Sequence, residues 1–142
     1  DNGDAYLLAE RQFRAALAAD DGSIDALNGL GWALRARGLS SGNRGLYAEA
    51  EQALQRSLQA NPRHPDALFG MGWVAFAREQ YGDAASYFEQ AVAQSPLDHT
   101  PRFWLGLTLE RMGRATEERS VLREAQQLGS PFANEALARL GP

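Results

Sequence analysis

Pro65-Asp66-Ala67-Leu68-Phe69-Gly70-Met71-Gly72-Trp73-Val74-Ala75-Phe76-Ala77 is followed by the polar Arg78-Glu79-Gln80 and then by Tyr81-Gly82-Asp83-Ala84-Ala85-Ser86-Tyr87-Phe88-Glu89-Gln90-Ala91, and the stretch closes at Ser95-Pro96. Two helix-length apolar patterns flank a short polar turn, and a proline bounds the unit at each end. Leu68, Met71, Gly72 and Ala75 are spaced three or four apart and share one helical face. Ala84, Phe88 and Ala91 do the same on the second pattern. The small residues Gly72 and Ala84 leave room for two antiparallel helices to approach closely.

Outward from this unit the pattern recurs. Met71-Gly72 reappears 34 residues later as Leu105-Gly106, and 41 residues earlier as Leu30-Gly31, the same period with seven residues added. A fixed period of this size marks a solenoid of helix pairs. Leu68, Met71-Gly72, Tyr81, Ala84, Phe88, Ala91 and Pro96 together resemble the tetratricopeptide repeat (TPR) family, with Ala75 standing where that family expects a large aromatic. The resemblance covers nearly the whole chain. It implies an all-α fold, a right-handed superhelical solenoid of antiparallel helix pairs with about eight helices.

The remaining segments fit this frame. Tyr6, Ala9, Phe13 and Ala16 match Tyr81, Ala84, Phe88 and Ala91 at one constant offset, so residues 1–23 are expected to hold the second helix of a partial repeat, a helix over about 5–20. Residues 24–64 form a repeat with a seven-residue insertion, Gly38-Leu39-Ser40-Ser41-Gly42-Asn43-Arg44. Its glycines, serines and asparagine predict a flexible excursion between helices. Removal of such a loop should change stability little, because closure entropy varies slowly with length. Residues 65–98 are the central repeat. Residues 99–132 form a degenerate repeat, in which Ala115 replaces the turn aromatic, Glu118 the small Ala, and Ser130 the closing Pro. Residues 133–142 are expected to hold a capping helix or the start of a further repeat, which Leu137 and Leu140-Gly141 resemble. The chain opens at Asp1 without Met, which predicts that its natural start lies upstream. The unpaired stripe at residues 6–16 predicts either a longer array or self-association through this end.

Composition narrows the function. The 142 residues are one domain's worth of chain with a net charge of −4. Residues 1–71 carry 9 acids and 7 arginines, and residues 72–142 carry the same, so no basic face points to nucleic acid. All 14 cations are arginine. Cysteine is absent, which excludes disulfides and thiolate metal sites and fits a cytoplasmic or a periplasmic protein. No apolar run reaches the roughly 18–20 residues that direct membrane insertion requires. His64 and His99 sit in inter-repeat turns with no carboxylate or thiol at a ligand spacing. Asp20-Asp21 and Glu117-Glu118 lie in turns or first helical turns, where negative charge suits the helix dipole. Gly-Met-Gly-Trp at 70–73 is inside a helix and does not follow a strand, so it is no phosphate loop. No enzyme activity and no cofactor or metal is expected.

In a TPR stack the first helices line the concave surface. The first-helix residues outside the core stripe are Asn28, Trp32 and Arg35 in one copy, Phe69, Trp73 and Phe76 in the next, and Phe103, Trp104, Leu107, Glu110 and Arg111 in the last. Two arrangements are open for the aromatics. They pack between successive repeats as core, or they project into a groove that binds an apolar or amphipathic peptide or helix of a partner protein. The second is the expectation here, because the core stripe is already complete without them. Five or six half-exposed rings make a patch of roughly 500 Å². The columns in which some TPR domains carry a carboxylate clamp hold Asn28, Trp32, Gly70, Thr100 and Trp104, with no cation among them, so that clamp is not expected. The alternative, of a different class, is a structural scaffold in which repeats stack end to end as a homo-oligomer or within a larger array.

Overall fold

A computed structural model of the chain describes residues 2–141. Among the described residues there are eight helices and no strand: α1 (Asn2–Ala19), α2 (Ile24–Ser41), α3 (Gly45–Ala60), α4 (Pro65–Ala77), α5 (Tyr81–Gln94), α6 (His99–Arg111), α7 (Ala115–Gln127) and α8 (Pro131–Leu140). Each helix packs on its sequence neighbour, and the first helices α2, α4 and α6 also touch in succession. This is the all-α solenoid the period predicts. None of these helices is long and apolar enough to cross a membrane.

Local chemistry sets the helix ends. Ser23 and Ser130 accept hydrogen bonds from the backbone N–H of Ala26 and Ala133, and Asp98 accepts one from Thr100, each satisfying an otherwise free N-terminal donor. Pro65 and Pro131 occupy the first helical turn, where no N–H is missed. Gly113 takes a φ of 71° after α6, and Glu79 holds the matching left-handed position after α4 at φ 61°, a conformation that strains a residue with a Cβ.

The Leu-Gly pairs explain the tight pairing. A Cβ on Gly31 would lie 2.6 Å from Leu54, on Gly72 2.7 Å from Phe88, and on Gly106 2.6 Å from Leu122. Each first helix therefore seats one large second-helix side chain against its bare backbone. Phe88, Leu54 and Leu122 are fully buried there. A side chain at any of these glycines would overpack the core.

Three expectations change. First, the insertion is not a flexible excursion. Residues 38–41 continue α2 by about one turn, and only Gly42-Asn43-Arg44 form the connection. Gly38 is buried with the Tyr47 ring 2.7 Å from where its Cβ would be, so its small size serves close packing. Asn43 accepts a hydrogen bond from the Gly45 N–H at 3.0 Å and fixes the entry to α3. Second, α1 starts at Asn2, three residues before the expected span. Third, α8 starts at Pro131, because the α7–α8 connection, residues 128–130, is one residue shorter than the earlier connections between repeats at 20–23, 61–64 and 95–98. Of the two candidates, Leu137 then stands where earlier repeats place the Leu of Leu-Gly, six residues after the helix start, with Ala138 in place of the Gly.

An ion-pair network links α1, α2 and α3. Glu10 is buried at 7% exposure and pairs with Arg14 at 2.9 Å and with Arg37 of α2. Arg14 also pairs with Glu49 of α3 at 2.8 Å. Burial pushes the Glu10 carboxyl up, but the hydrogen bonds from both arginines outweigh it and hold it below its ordinary range. Glu118, the residue in place of Ala in the degenerate repeat, is buried at 4% and enters none of the ion pairs among the described residues, although Arg119 and Arg139 lie near enough to favour its charge. Burial and then the nearby Glu110 charge push its carboxyl up.

Candidate functional site

The first-helix residues singled out by spacing fall into two environments. Trp73 is a core residue at 5% exposure. Its ring meets Tyr47 edge-on at 6.0 Å and Trp104 at 6.1 Å. The expectation that it projects from the core is corrected, and the reason is geometric. The column after the Leu-Gly pair lies where neighbouring first helices touch, and α4 has such a neighbour on each side. Asn28 is likewise buried, at 6%. Its Nδ2 lies 3.3 Å from each ring nitrogen of His64, and its Oδ1 has no partner.

The others keep part of their surface. Trp32 is half-buried and stacks on Phe69, centroids 5.3 Å apart with the planes 20° from parallel. Phe69 leans on the buried Phe88 at 5.5 Å, and Phe88 on Trp104 at 6.5 Å. Phe103 meets Trp104 at 6.2 Å and Phe132 at 5.6 Å. Phe76 is edge-on to both Tyr81 and Trp104 at 5.5 Å. The aromatics thus form one ladder of ring contacts from Trp32 to Phe132, not separate rings in water. Half-buried rims of Trp32, Phe69, Phe76, Phe103, Trp104 and Leu107 remain, with Glu110 and Arg111 exposed beside them. The Arg111 guanidinium sits 5.8 Å from the Phe76 ring.

Two apolar hollows lie at the ends of this ladder. One, of about 260 Å³, is lined by His99, Thr100, Phe103, Trp104 and Phe132. Spacing alone missed Phe132, because the short α7–α8 connection shifts its register. It is 60% exposed and carries the ladder onto α8. The other, of about 330 Å³, lies between α1 and α2 and is lined by Tyr6, Ala9, Phe13, Gly29, Trp32, Ala33, Arg35 and Ala36. Gly29 is needed there, since the Phe13 ring lies 2.2 Å from where its Cβ would be. A larger hollow of about 490 Å³ lies away from the ladder, over α3, α4 and α5, and is lined by Glu51, Gln80, Asp83 and Tyr87 among others. Its mixed polar wall offers no aromatic stripe, so the ladder side is the better candidate despite its smaller volumes.

Arg35 is the charged group of the α1–α2 hollow. Its guanidinium carbon lies 4.5 Å from the Trp32 ring and 4.1 Å from the Trp73 ring. Desolvated cation–π contacts of this kind contribute up to about 2 kcal/mol. Burial pushes the guanidinium down to about 10, which still leaves it charged at neutral pH. Among the described residues, no group of His, Cys, Asp and Glu could hold a metal ion.

The tetratricopeptide repeat family profile matches residues 36–98 and 69–131. No curated protein sequence matches the chain. Among solved structures, a MamA RS-1 double mutant superposes with a TM-score of 0.79 at 22% identity, over 96% of this chain and 74% of that one. A second MamA structure gives 0.79 at 19% identity, over 99% and 82%. YrrB, described as a TPR protein with an unusual peptide-binding site, gives 0.68 at 23% identity, over 89% and 61%. At these identities the likenesses show the fold, and with the profile match they lead to one conclusion: this chain belongs to the tetratricopeptide repeat family.

Proposed function

We propose that the chain is a protein-interaction module that holds an apolar or amphipathic peptide or helix of a partner against the ladder formed by α2, α4 and α6. The observation that carries this reading is the row of half-buried aromatic rims, with an apolar hollow at each end. The rigid, already packed rings lose little entropy on binding. The groove residues are then Trp32, Arg35, Phe69, Phe76, Phe103, Trp104, Leu107, Glu110 and Arg111, and the buried Trp73 supports Trp104 and Arg35. The TPR fold and the peptide-binding site named for YrrB support the reading. End-to-end assembly is a second reading, favoured by the exposed Leu8 on α1 and Phe132 on α8, the two end helices.

A peptide enriched from a random display library against the purified chain tests the proposal by NMR titration. The three tryptophan indoles report directly. Shifts of the Trp32 and Trp104 indoles and of α2 and α6 amides are expected. Shifts confined to α3, α5 and α7, or a library that yields no binder, would overturn it. Light scattering of the same samples separates peptide binding by a monomer from assembly.

A further inference from the structure

The stack contains the same crevice twice, filled in one copy and open in the other. Between α1 and α3, over α2, a hollow of about 160 Å³ is lined by Arg14, Leu30, Leu34 and Glu49 among others. Between α3 and α5, over α4, the hollow of about 490 Å³ is lined by Met71, Ala75, Glu51 and Asp83 among others. The positions correspond. The 41-residue offset carries Leu30 to Met71, Leu34 to Ala75, Glu10 to Glu51 and Arg37 to Arg78, and the 34-residue offset carries Glu49 to Asp83. Every wall of the open crevice comes from the middle of the chain, with helices described on both sides of it.

The filled copy shows what the open one lacks. Arg37 pairs with Glu10 through Oε2, and Arg14 donates to Glu10 Oε1 at 2.9 Å and to Glu49 Oε2 at 2.8 Å. One guanidinium thus spans two carboxylates. In the open copy Arg78 takes Oε2 of Glu51, as Arg37 takes that of Glu10. The position of Arg14, however, is Gln55, whose amide lies 3.5 Å from Glu51 Oε1. Asp83 is exposed and enters none of the ion pairs among the described residues. The Glu51 side chain keeps 30% of its surface, so both carboxylates are reachable from water. Burial, and then the charges of Asp83 and Glu51, push the Tyr87 hydroxyl up, which marks the crevice as electronegative. Its floor, Met71 and Ala75, is apolar and buried, and suits the methylene stem of a long cationic side chain.

We infer that the α3–α5 crevice is a subsite for an arginine side chain of a partner protein, its guanidinium spanning Glu51 and Asp83 as that of Arg14 spans Glu10 and Glu49. This goes beyond the aromatic ladder and does not rest on it. A guanidinium offers donors along two edges of a rigid plane, whereas a lysine ammonium is a compact point charge, so arginine is the cation assigned.

The test is NMR titration of the chain with N-acetylarginine amide at low salt, where exposed charges are least screened. Saturable shifts of the Glu51 amide and of the amides from Asp83 to Tyr87 are expected, with a Kd on the order of 1 mM, while the tryptophan indoles stay in place. N-acetyllysine amide should bind more weakly. Asp83→Asn should weaken arginine binding about fivefold. Gln55→Arg, which supplies the occupant from the chain itself, should weaken it at least about tenfold. Both positions are exposed, and circular dichroism verifies that both variants remain helical. The absence of saturable shifts in the crevice would overturn the subsite, as would unchanged affinity in either variant. Equal affinity for the lysine compound would overturn the assignment to arginine. Light scattering of the chain alone adds a last arm: assembly that Asp83→Asn abolishes would place an arginine of a second copy there and overturn the assignment to a partner.

Discussion

Trp32 and Trp73 occupy the same position in two successive repeats, each directly after its Leu-Gly or Met-Gly pair. Their fates differ. Trp73 lies between Tyr47 and Trp104 in the core, whereas Trp32 has Phe69 on one flank and the α1–α2 hollow on the other. The same residue at the same helical position is core where first helices are described on both sides of it, and half-buried where one is described on one side alone. In a solenoid, burial is set by how many neighbours a repeat has and not only by its own sequence.

The largest effect expected from this contrast is on stability. Trp73→Ala opens a cavity in the core and should cost about 3–5 kcal/mol, read as a fall in thermal midpoint of roughly 10 °C or more. A change within error would mean that Trp73 is not held as described. Deletion of Gly38 to Arg44 should come next, at about 2 kcal/mol. It removes the last turn of α2, the Gly38–Tyr47 contact and the Asn43 turn, and Tyr47 in turn supports Trp73. An unchanged denaturant midpoint would show that this segment is a passive loop after all. Trp32→Ala should have the smallest effect, about 1 kcal/mol, because the side chain is already partly in water. If it destabilises as much as Trp73→Ala, the two positions are both core and the contrast collapses.

Much of the architecture could be read from spacing. The period, the Leu-Gly pairs and the alternation of helix faces are local properties, and Gly31, Gly72 and Gly106 receive their second-helix partners in three successive repeats. What spacing could not supply depends on distant neighbours. Gly38 reads as flexibility in isolation, and only the position of Tyr47 reveals it as a close approach. Trp73 reads as a free aromatic until the helices on both sides are in place. Phe132 stays hidden because the shorter α7–α8 connection breaks the register from which it would be counted. The Glu10, Arg14, Arg37 and Glu49 network joins three helices, and nothing within any one of them signals that Glu10 is buried. Arg35 was visible as a groove residue. Its contacts with two tryptophan rings, and its lack of a carboxylate, appear only once α2 and α4 are side by side.

The claim that the edge tryptophan faces a partner and the central one does not is tested most directly by isothermal titration of one library-selected peptide into the wild type, Trp32→Ala and Gln90→Ala, the last an exposed position on α5 away from the ladder. The account predicts that Trp32→Ala weakens binding by at least about 30-fold, the equivalent of a hot-spot residue at about 2 kcal/mol, while Gln90→Ala binds as the wild type does. Equal affinity for the wild type and Trp32→Ala, or a loss confined to Gln90→Ala, would contradict it.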